Sequence, residues 1–257
     1  MGKIHPTAII SPSATIGVGT EIGPYCIIGD GVIIGENCWL QHHVTIMGPS
    51  KIGSGNTFYS YACIGQRSQD LKYSAEPTHL EIGDRNTFRE FSTVHRATAP
   101  GSVTKVGNDG NFLSYSHIAH DCVVGDHVIF SNNGTIAGHV IVGDYANIGG
   151  LTAIHQFCRV GAHAITGGCS KIVQDVPPFF IADGNPAEVR GVNAVGLERR
   201  GYTPEQLKTL KESYRLLYRS KLNVKQATAE LETQYGHTAE GRILIDFIAA
   251  SQRGIIR

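Results

Sequence analysis

The chain has 257 residues, with 22 Lys and Arg against 22 Asp and Glu, so its formal net charge at neutral pH is zero. That balance provides no general field toward nucleic acid or an anionic membrane. No stretch approaches the roughly 18 consecutive apolar residues of a membrane-spanning helix, so no transmembrane segment is expected.

From the N-terminus, Met1 to Pro12 shows no basic patch followed by an apolar run, so no signal peptide is expected. Every sixth residue is then apolar. The positions run Ile4, Ile10, Ile16, Ile22, Ile28, Ile34, Leu40, Ile46, Ile52, Phe58 and Ile64, and the same phase continues from Ile82 to Ile172. Only Asp70, Glu76, Pro100 and Thr166 break it. A period of six fits neither an α-helix nor an ordinary half-buried strand. It predicts a left-handed hexapeptide solenoid, an all-β parallel β-helix in which short strands alternate with tight corners. Three hexapeptides close one triangular coil, giving roughly nine to ten coils. Many of the 31 glycines directly follow the periodic residue, as in Ile16-Gly17, Ile22-Gly23 and Ile34-Gly35. Their conformational freedom is expected to form the corners.

Two interruptions preserve the phase, so the segments near 66–79 and 97–105 are predicted to be loops thrown out from the coil. Loops on a rigid scaffold are where binding residues collect. After Ile172 the rhythm stops, and the solenoid is taken as 1–186 with a helical C-terminal domain over 187–257. Thr203-Pro204-Glu205-Gln206 offers a capping box with proline at the first helical position. Further helices are expected near Asn223 and Thr238. This tail would cover the open, hydrogen-bonding end of the solenoid. Lys208, Lys211, Arg215, Arg219 and Lys221 make one side of it basic, which suits a partner.

Cys26, Cys38, Cys122 and Cys158 each lie four residues after a periodic residue, a slot otherwise filled by small residues such as Ala8, Ala14 and Ala62. Cysteine there reads as packing inside a corner, not as a disulfide or metal ligand. A reduced, cytoplasmic protein is therefore expected.

The 12 histidines cluster. His117 and His120 lie in HIAHDC with Asp121, His139 follows in AGHV, and His155 in AIHQFC. Asp121 and His139 are 18 residues apart, one coil, so they occupy the same slot on adjacent coils. A histidine beside an aspartate that holds its tautomer is the minimum equipment of a general base near neutral pH. No nucleophile elbow is present, which favours direct transfer over a covalent enzyme intermediate. Three histidines on neighbouring coils are also the material of a zinc site of the carbonic anhydrase type. Asp121 would compete there as an orienting partner, and no metal or other cofactor is expected.

The stretches QDLKYSAEPT, EIGDRNTFRE, HIAHDC, AGHV, AIHQFC, GGCS, QDVPPF and GVNAVGLERRG resemble the acyl-carrier-protein-dependent UDP-N-acetylglucosamine O-acyltransferases of lipid A biosynthesis, over essentially the whole chain. The resemblance implies an enzyme transferring a (3R)-hydroxyacyl chain from acyl carrier protein to the sugar 3-hydroxyl, acting as a homotrimer with clefts between subunits. It implies His120 as general base, Asp121 as its orienting partner and the Gly138 N–H as oxyanion donor. Gln69 and Asp70 would lie near the sugar and Lys72 near the phosphates, with His117, His139 and Gln156 lining the cleft. Asn193, Arg199 and Arg200 would hold the nucleotide. Gly168 matches the family's acyl-length ruler, and glycine there implies room for a longer chain. Val195 departs from the pattern, because relatives often carry an acidic residue at that position.

Overall fold

The computed structural model describes residues 3–257, and its strands form three sheets of nine, eight and ten strands, parallel throughout except for one antiparallel pair that ends the ten-stranded sheet. Successive strands pass from one sheet to the next, so the chain winds as a triangular prism, the left-handed parallel β-helix. Most strands hold two residues, for example Thr15–Ile16, Asn111–Phe112 and His117–Ile118. In the latter two the periodic residue points inward and is buried while its predecessor is more exposed, as period-two strand geometry requires, whereas Ile16 near the open first coil is only partly buried. Inside, Phe58, Phe88 and Phe112 stack with centroids 5.1 and 4.7 Å apart, and Phe130 continues the column at 5.4 Å with its ring tilted by 52°. The Thr166 break in the rhythm is satisfied internally, its hydroxyl accepting from the Gly149 N–H at 2.9 Å.

The corners correct the expectation about glycine. The positive φ falls three residues after the periodic position, and mostly on residues with side chains: Tyr25, His43, Tyr61, Phe91, Tyr115, Asp121, His139, Tyr145 and His163 among them. Gly17, Gly23 and Gly35 have no positive φ. They are needed because coils approach so closely that a Cβ at Gly17 would lie 2.4 Å from the carbonyl carbon of Gly35. The left-handed corner residues instead stack on their counterparts one coil away. Tyr61 and Phe91 lie 5.0 Å apart, Phe91 and Tyr115 4.9 Å, both nearly parallel. Such stacking offsets the roughly 1–2 kcal/mol cost of the left-handed conformation.

Both excursions are shorter than the sequence suggests. Gln66 still belongs to the strand Cys63–Gln66, and His79–Ile82 and Val103–Val106 are four-residue strands paired to each other from His79↔Val103 onward. The extra ladder hydrogen bonds pin the feet of the loops, which leaves 67–78 and 96–102 outside the coil. The sheet also runs past 186. Phe180–Gly184 and Ala187–Val192 form an antiparallel hairpin that continues the ten-stranded sheet, so helical structure begins only at Ala194.

The helices are α1 (Ala194–Glu198), α2 (Pro204–Tyr214), α3 (Val224–Tyr235) and α4 (Ala239–Ala249). Thr203 with Gln206 and Asn223 with Gln226 form complete capping boxes, and Thr238 caps α4. The short α1, capped by Asn193, has no counterpart in the sequence reading. Asp175, 1 % exposed, ties this tail to the last coil. Its carboxylate accepts from the Arg159 N–H at 2.8 Å and the Ser251 hydroxyl at 2.6 Å, and its N–H donates to the Gly254 carbonyl at 3.0 Å. No helix among the described residues is long and apolar enough to cross a membrane.

Candidate active site

The prism has three edges, and the candidate residues divide among them. The corners 119–122, 137–140 and 155–158 join the nine-stranded to the eight-stranded sheet, so His120, Gly138 and Gln156 stack in one column. Asp121, His139 and Phe157 form the adjoining left-handed column. Both excursions leave the prism at this same edge.

His120 is fixed from one side only. Its Nδ1 lies 2.8 Å from Asp121 Oδ2 and 2.9 Å from Thr98 Oγ1, and both the histidine and aspartate side chains are about nine-tenths buried. Burial opposes ionisation of Asp121. The hydrogen bond to His120 and those from Thr98 outweigh it and hold the carboxyl below the usual carboxylate range. The Thr98 N–H donates to both carboxylate oxygens at 3.2 and 3.1 Å, and Ser102 Oγ donates at 3.1 Å. An ionised Asp121 places the imidazole proton on Nδ1 and leaves the Nε2 lone pair free. Gly138 lies against that free side: a Cβ there would come within 2.6 Å of Nε2 and 2.4 Å of Cε1. The Gly138 N–H has no hydrogen-bond partner among the described residues.

His139 stands edge-on to His120 with centroids 5.4 Å apart, stacks on Phe157 at 4.6 Å, and brings Nε2 to 3.7 Å from Asp121 Oδ2. His120, Asp121 and His139 thus hold three donor atoms within 4.8 Å, a set that also suits a divalent cation. A cation there would displace the hydrogen bond that sets the His120 tautomer. His117 accepts or donates through Nδ1 to Thr93 Oγ1 at 2.7 Å, and burial lowers its pKa. Gln156 is exposed on the outer coil of the column.

Three hydroxyls and one histidine complete the site without having been singled out in the sequence. Asp70 N–H donates to Ser68 Oγ at 3.1 Å, Ser68 Oγ meets Thr98 Oγ1 at 2.7 Å, and Thr98 reaches His120. The first excursion, with Gln69, Asp70 and Lys72, is therefore wired to His120 through the second. Thr104 Oγ1 accepts from the Asp121 N–H at 2.8 Å. His95 lies behind His117, ring centroids 5.0 Å apart. The signal for Ser68 and Thr98 was their place in the phase-preserving interruptions.

The remaining candidates lie elsewhere. Arg200 covers the ring of Tyr145 at 4.8 Å, on the edge where the eight-stranded sheet meets the ten-stranded one. Its charge, secondary to burial, helps push neighbouring His163 down to about 4. Arg199 follows α1 on this side. Asn193 is 4 % exposed and engaged at both ends of its amide: Oδ1 accepts from Gly196 N–H at 3.1 Å and Nδ2 donates to the His163 carbonyl at 2.9 Å. Gly168 sits on the third edge, where a Cβ would meet only the Gly150 carbonyl oxygen at 3.5 Å. One chain therefore does not bring the histidine edge and the arginine edge together, although both border the eight-stranded sheet.

Comparison with known proteins gives this arrangement a family. A model described as UDP-N-acetylglucosamine O-acyltransferase, domain 2, matches 175–256, and one for bacterial transferase hexapeptide repeats matches 31–66. The acyl-[acyl-carrier-protein]–UDP-N-acetylglucosamine O-acyltransferase of Burkholderia lata is 48 % identical over all of both chains. The chain belongs to this acyltransferase family. The enzyme of the same name from Thiobacillus denitrificans is 46 % identical, again over all of both chains. Among solved structures of the family, LpxA from Acinetobacter baumannii superposes with a TM-score of 0.96 at 43 % identity, covering 99 % of each chain. The Arabidopsis UDP-N-acetylglucosamine acyltransferase reaches 0.87 at 34 % identity, covering 99 % of this chain and all of that one.

Proposed function

We propose that the chain transfers a (3R)-hydroxyacyl group from acyl carrier protein to the 3-hydroxyl of UDP-N-acetylglucosamine by direct attack, with His120 as general base. The observation that carries this is the one-sided fixing of His120, with Asp121 on Nδ1 and Nε2 left open beside Gly138. The sugar oxygen attacks the thioester carbonyl while His120 Nε2 takes its proton. The oxyanion accepts the Gly138 N–H, a donor of a kind worth roughly 3–4 kcal/mol. Collapse breaks the C–S bond, and the imidazolium returns its proton to the departing thiolate. Gln69, Asp70 and Lys72 reach the acceptor from the first excursion, and His117, His139 and Gln156 line its cleft.

The division of residues between two edges supports a site shared between copies in a homotrimer. The arginine edge of one copy, with Arg199 and Arg200, meets the histidine edge of the next, and paired arginines suit a diphosphate. Asn193 acts by fixing α1 and not by direct contact. The open space at Gly168 favours a longer hydroxyacyl chain. The exposed Lys208, Lys211 and Lys221 offer a basic surface to the carrier protein. The six cysteines are all free thiols, which favours residence in the reducing cytoplasm.

Purified protein given UDP-N-acetylglucosamine and 3-hydroxyacyl carrier protein is expected to form the 3-O-acyl product. His120→Ala should lower kcat by on the order of 10³-fold; substantial residual turnover would overturn the assigned base. Separately inactive His120→Ala and Arg200→Ala chains, unfolded and refolded together, should regain activity, because mixed trimers contain some intact sites. No recovery would refute the shared site.

A further inference from the structure

A histidine far from the cleft is held in one tautomer by a chain of hydrogen bonds. The Ser60 N–H donates to Gln41 Oε1 at 3.0 Å, so that atom is an oxygen, and the Ser60 hydroxyl must spend its proton on it at 2.6 Å. Ser60 Oγ therefore accepts from His42 Nε2 at 2.9 Å, which leaves His42 Nδ1 as a bare acceptor. His43 Nδ1 lies 3.0 Å from it and donates, so the lone pair of His43 sits on Nε2. The ring is also clamped between Tyr25 and Tyr61, both centroids 5.0 Å away, yet His43 is exposed. An imidazole whose other N–H is tied down in this way is built as a metal ligand is built.

The corner that carries His43 joins the ten-stranded to the nine-stranded sheet, and charge indicates where it lies between copies. The histidine and arginine edges that meet in the shared site both border the eight-stranded sheet, so a threefold ring can turn that sheet inward or outward. Its outer positions include Lys51, Glu81, Lys105 and Arg159. Those of the other sheets are uncharged through the middle coils, with Thr45, Cys63 and Thr93 on one and Thr57, Thr87 and Asn111 on the other. Burying charge is the costlier choice, which turns the eight-stranded sheet to solvent and the remaining edge to the axis. That edge carries exposed rings on successive coils, Tyr25, His43, Tyr61, Phe91 and Tyr115, and His43 alone among them offers a ligand nitrogen.

We infer that His43 Nε2 from three copies binds one zinc-class divalent cation on the threefold axis. Three neutral imidazoles and an open fourth position form a familiar coordination set for zinc. The inference rests on the homotrimer with shared sites proposed above. His42 acts as a positioning residue, through the proton it accepts from His43.

The test is calorimetry with zinc chloride on full-length protein, with mass read by light scattering. Every chain carries His120→Ala, which removes the cleft set of His120, Asp121 and His139. The parent should bind one ion per three chains and melt at a higher temperature with zinc than without. His43→Phe keeps a ring at a corner that Phe91 shows to accept phenylalanine, and should abolish both effects while remaining trimeric. His42→Phe should weaken binding about tenfold at unchanged stoichiometry, and His42→Asn, whose Oδ1 can accept from His43, should recover most of that loss. If His43→Phe does not assemble, His43→Leu carries the comparison, since Leu151 fills the same corner. Binding retained without His43, one ion per chain, His42→Phe within twofold of the parent, or active trimers that take up no zinc would overturn the axial site alone. A monomeric parent would overturn the shared-site reading and this one with it.

Discussion

Gly138→Ala is the sharpest single perturbation of the proposed chemistry. Gly138 has no positive φ, so its backbone accepts alanine, and the change adds one methyl group. That methyl would lie 2.4 Å from Cε1 and 2.6 Å from Nε2 of His120, where ordinary contact begins near 3.4 Å. The imidazole must withdraw by about 1 Å. It is held by Asp121 at 2.8 Å and Thr98 at 2.9 Å, so withdrawal strains those bonds and moves Nε2 away from the attacking hydroxyl. A misplacement of about 1 Å typically costs on the order of 10²-fold in rate. The kcat should fall by that factor, while thermal unfolding stays within a few degrees of the parent. Initial rates at saturating acyl carrier protein, read beside a melting curve, separate the two effects. A folded variant with kcat within about threefold of the parent would refute the placement of Nε2 at the reacting atoms.

Asp121→Asn should offer an amide N–H to Nδ1, move the ring proton to Nε2 and remove the base. A loss on the order of 10³–10⁴-fold in kcat with KM little changed is expected, and a loss below tenfold would argue against tautomer control. Acid should destabilise the fold through its neutral histidines. His95 and His163, both held to about 4, stay unprotonated in the fold but take up protons once unfolded. Their stabilising contribution is complete above the unfolded value near 6.5 and is lost as pH falls from there toward 4. For His95 the loss at pH 5 is about 2 kcal/mol, so denaturant midpoints should drop between pH 7.5 and 5, and by less in His95→Gln. Treatment with a strong chelator should leave turnover unchanged, while added zinc should inhibit by occupying His120, Asp121 and His139. Stoichiometric zinc that proves necessary for activity would sink the general-base reading.

The rhythm of six made the sheets legible, because an inward side chain every sixth residue has one geometric solution over so long a run. The 18-residue rule also placed Asp121 beneath His139 correctly. It fails wherever an excursion inserts residues between coils. Phe58 stacks on Phe88 across 30 residues and Phe88 on Phe112 across 24, while Phe112 meets Phe130 across 18. The partners of His120 lie across this disturbance, so neither Thr98 nor Ser68 could be found by counting. His95 was overlooked for a related reason. Its identity is unremarkable, and only enclosure by the excursion makes its nitrogen conspicuous. Gly17 and its equivalents show the opposite error, where the right residue was assigned the wrong cause. Composition reveals that glycine is required, but only packed backbones distinguish torsional need from close approach.

The uniform pairing of successive coils has a consequence for how such a molecule varies in length. Below the site, strands such as Ile9–Ile10, Ile27–Ile28 and Thr45–Ile46 align residue for residue in one sheet, 18 residues apart. Removing 11–28 or 29–46 would therefore rejoin like with like, shortening the column by one layer of about 4.8 Å. The pedestal can lose a storey without moving the room above it. The same excision taken between His95 and Gln156 would delete a layer of the cleft itself. The lower coils are thus free to set height, while the upper ones are held to a fixed floor plan.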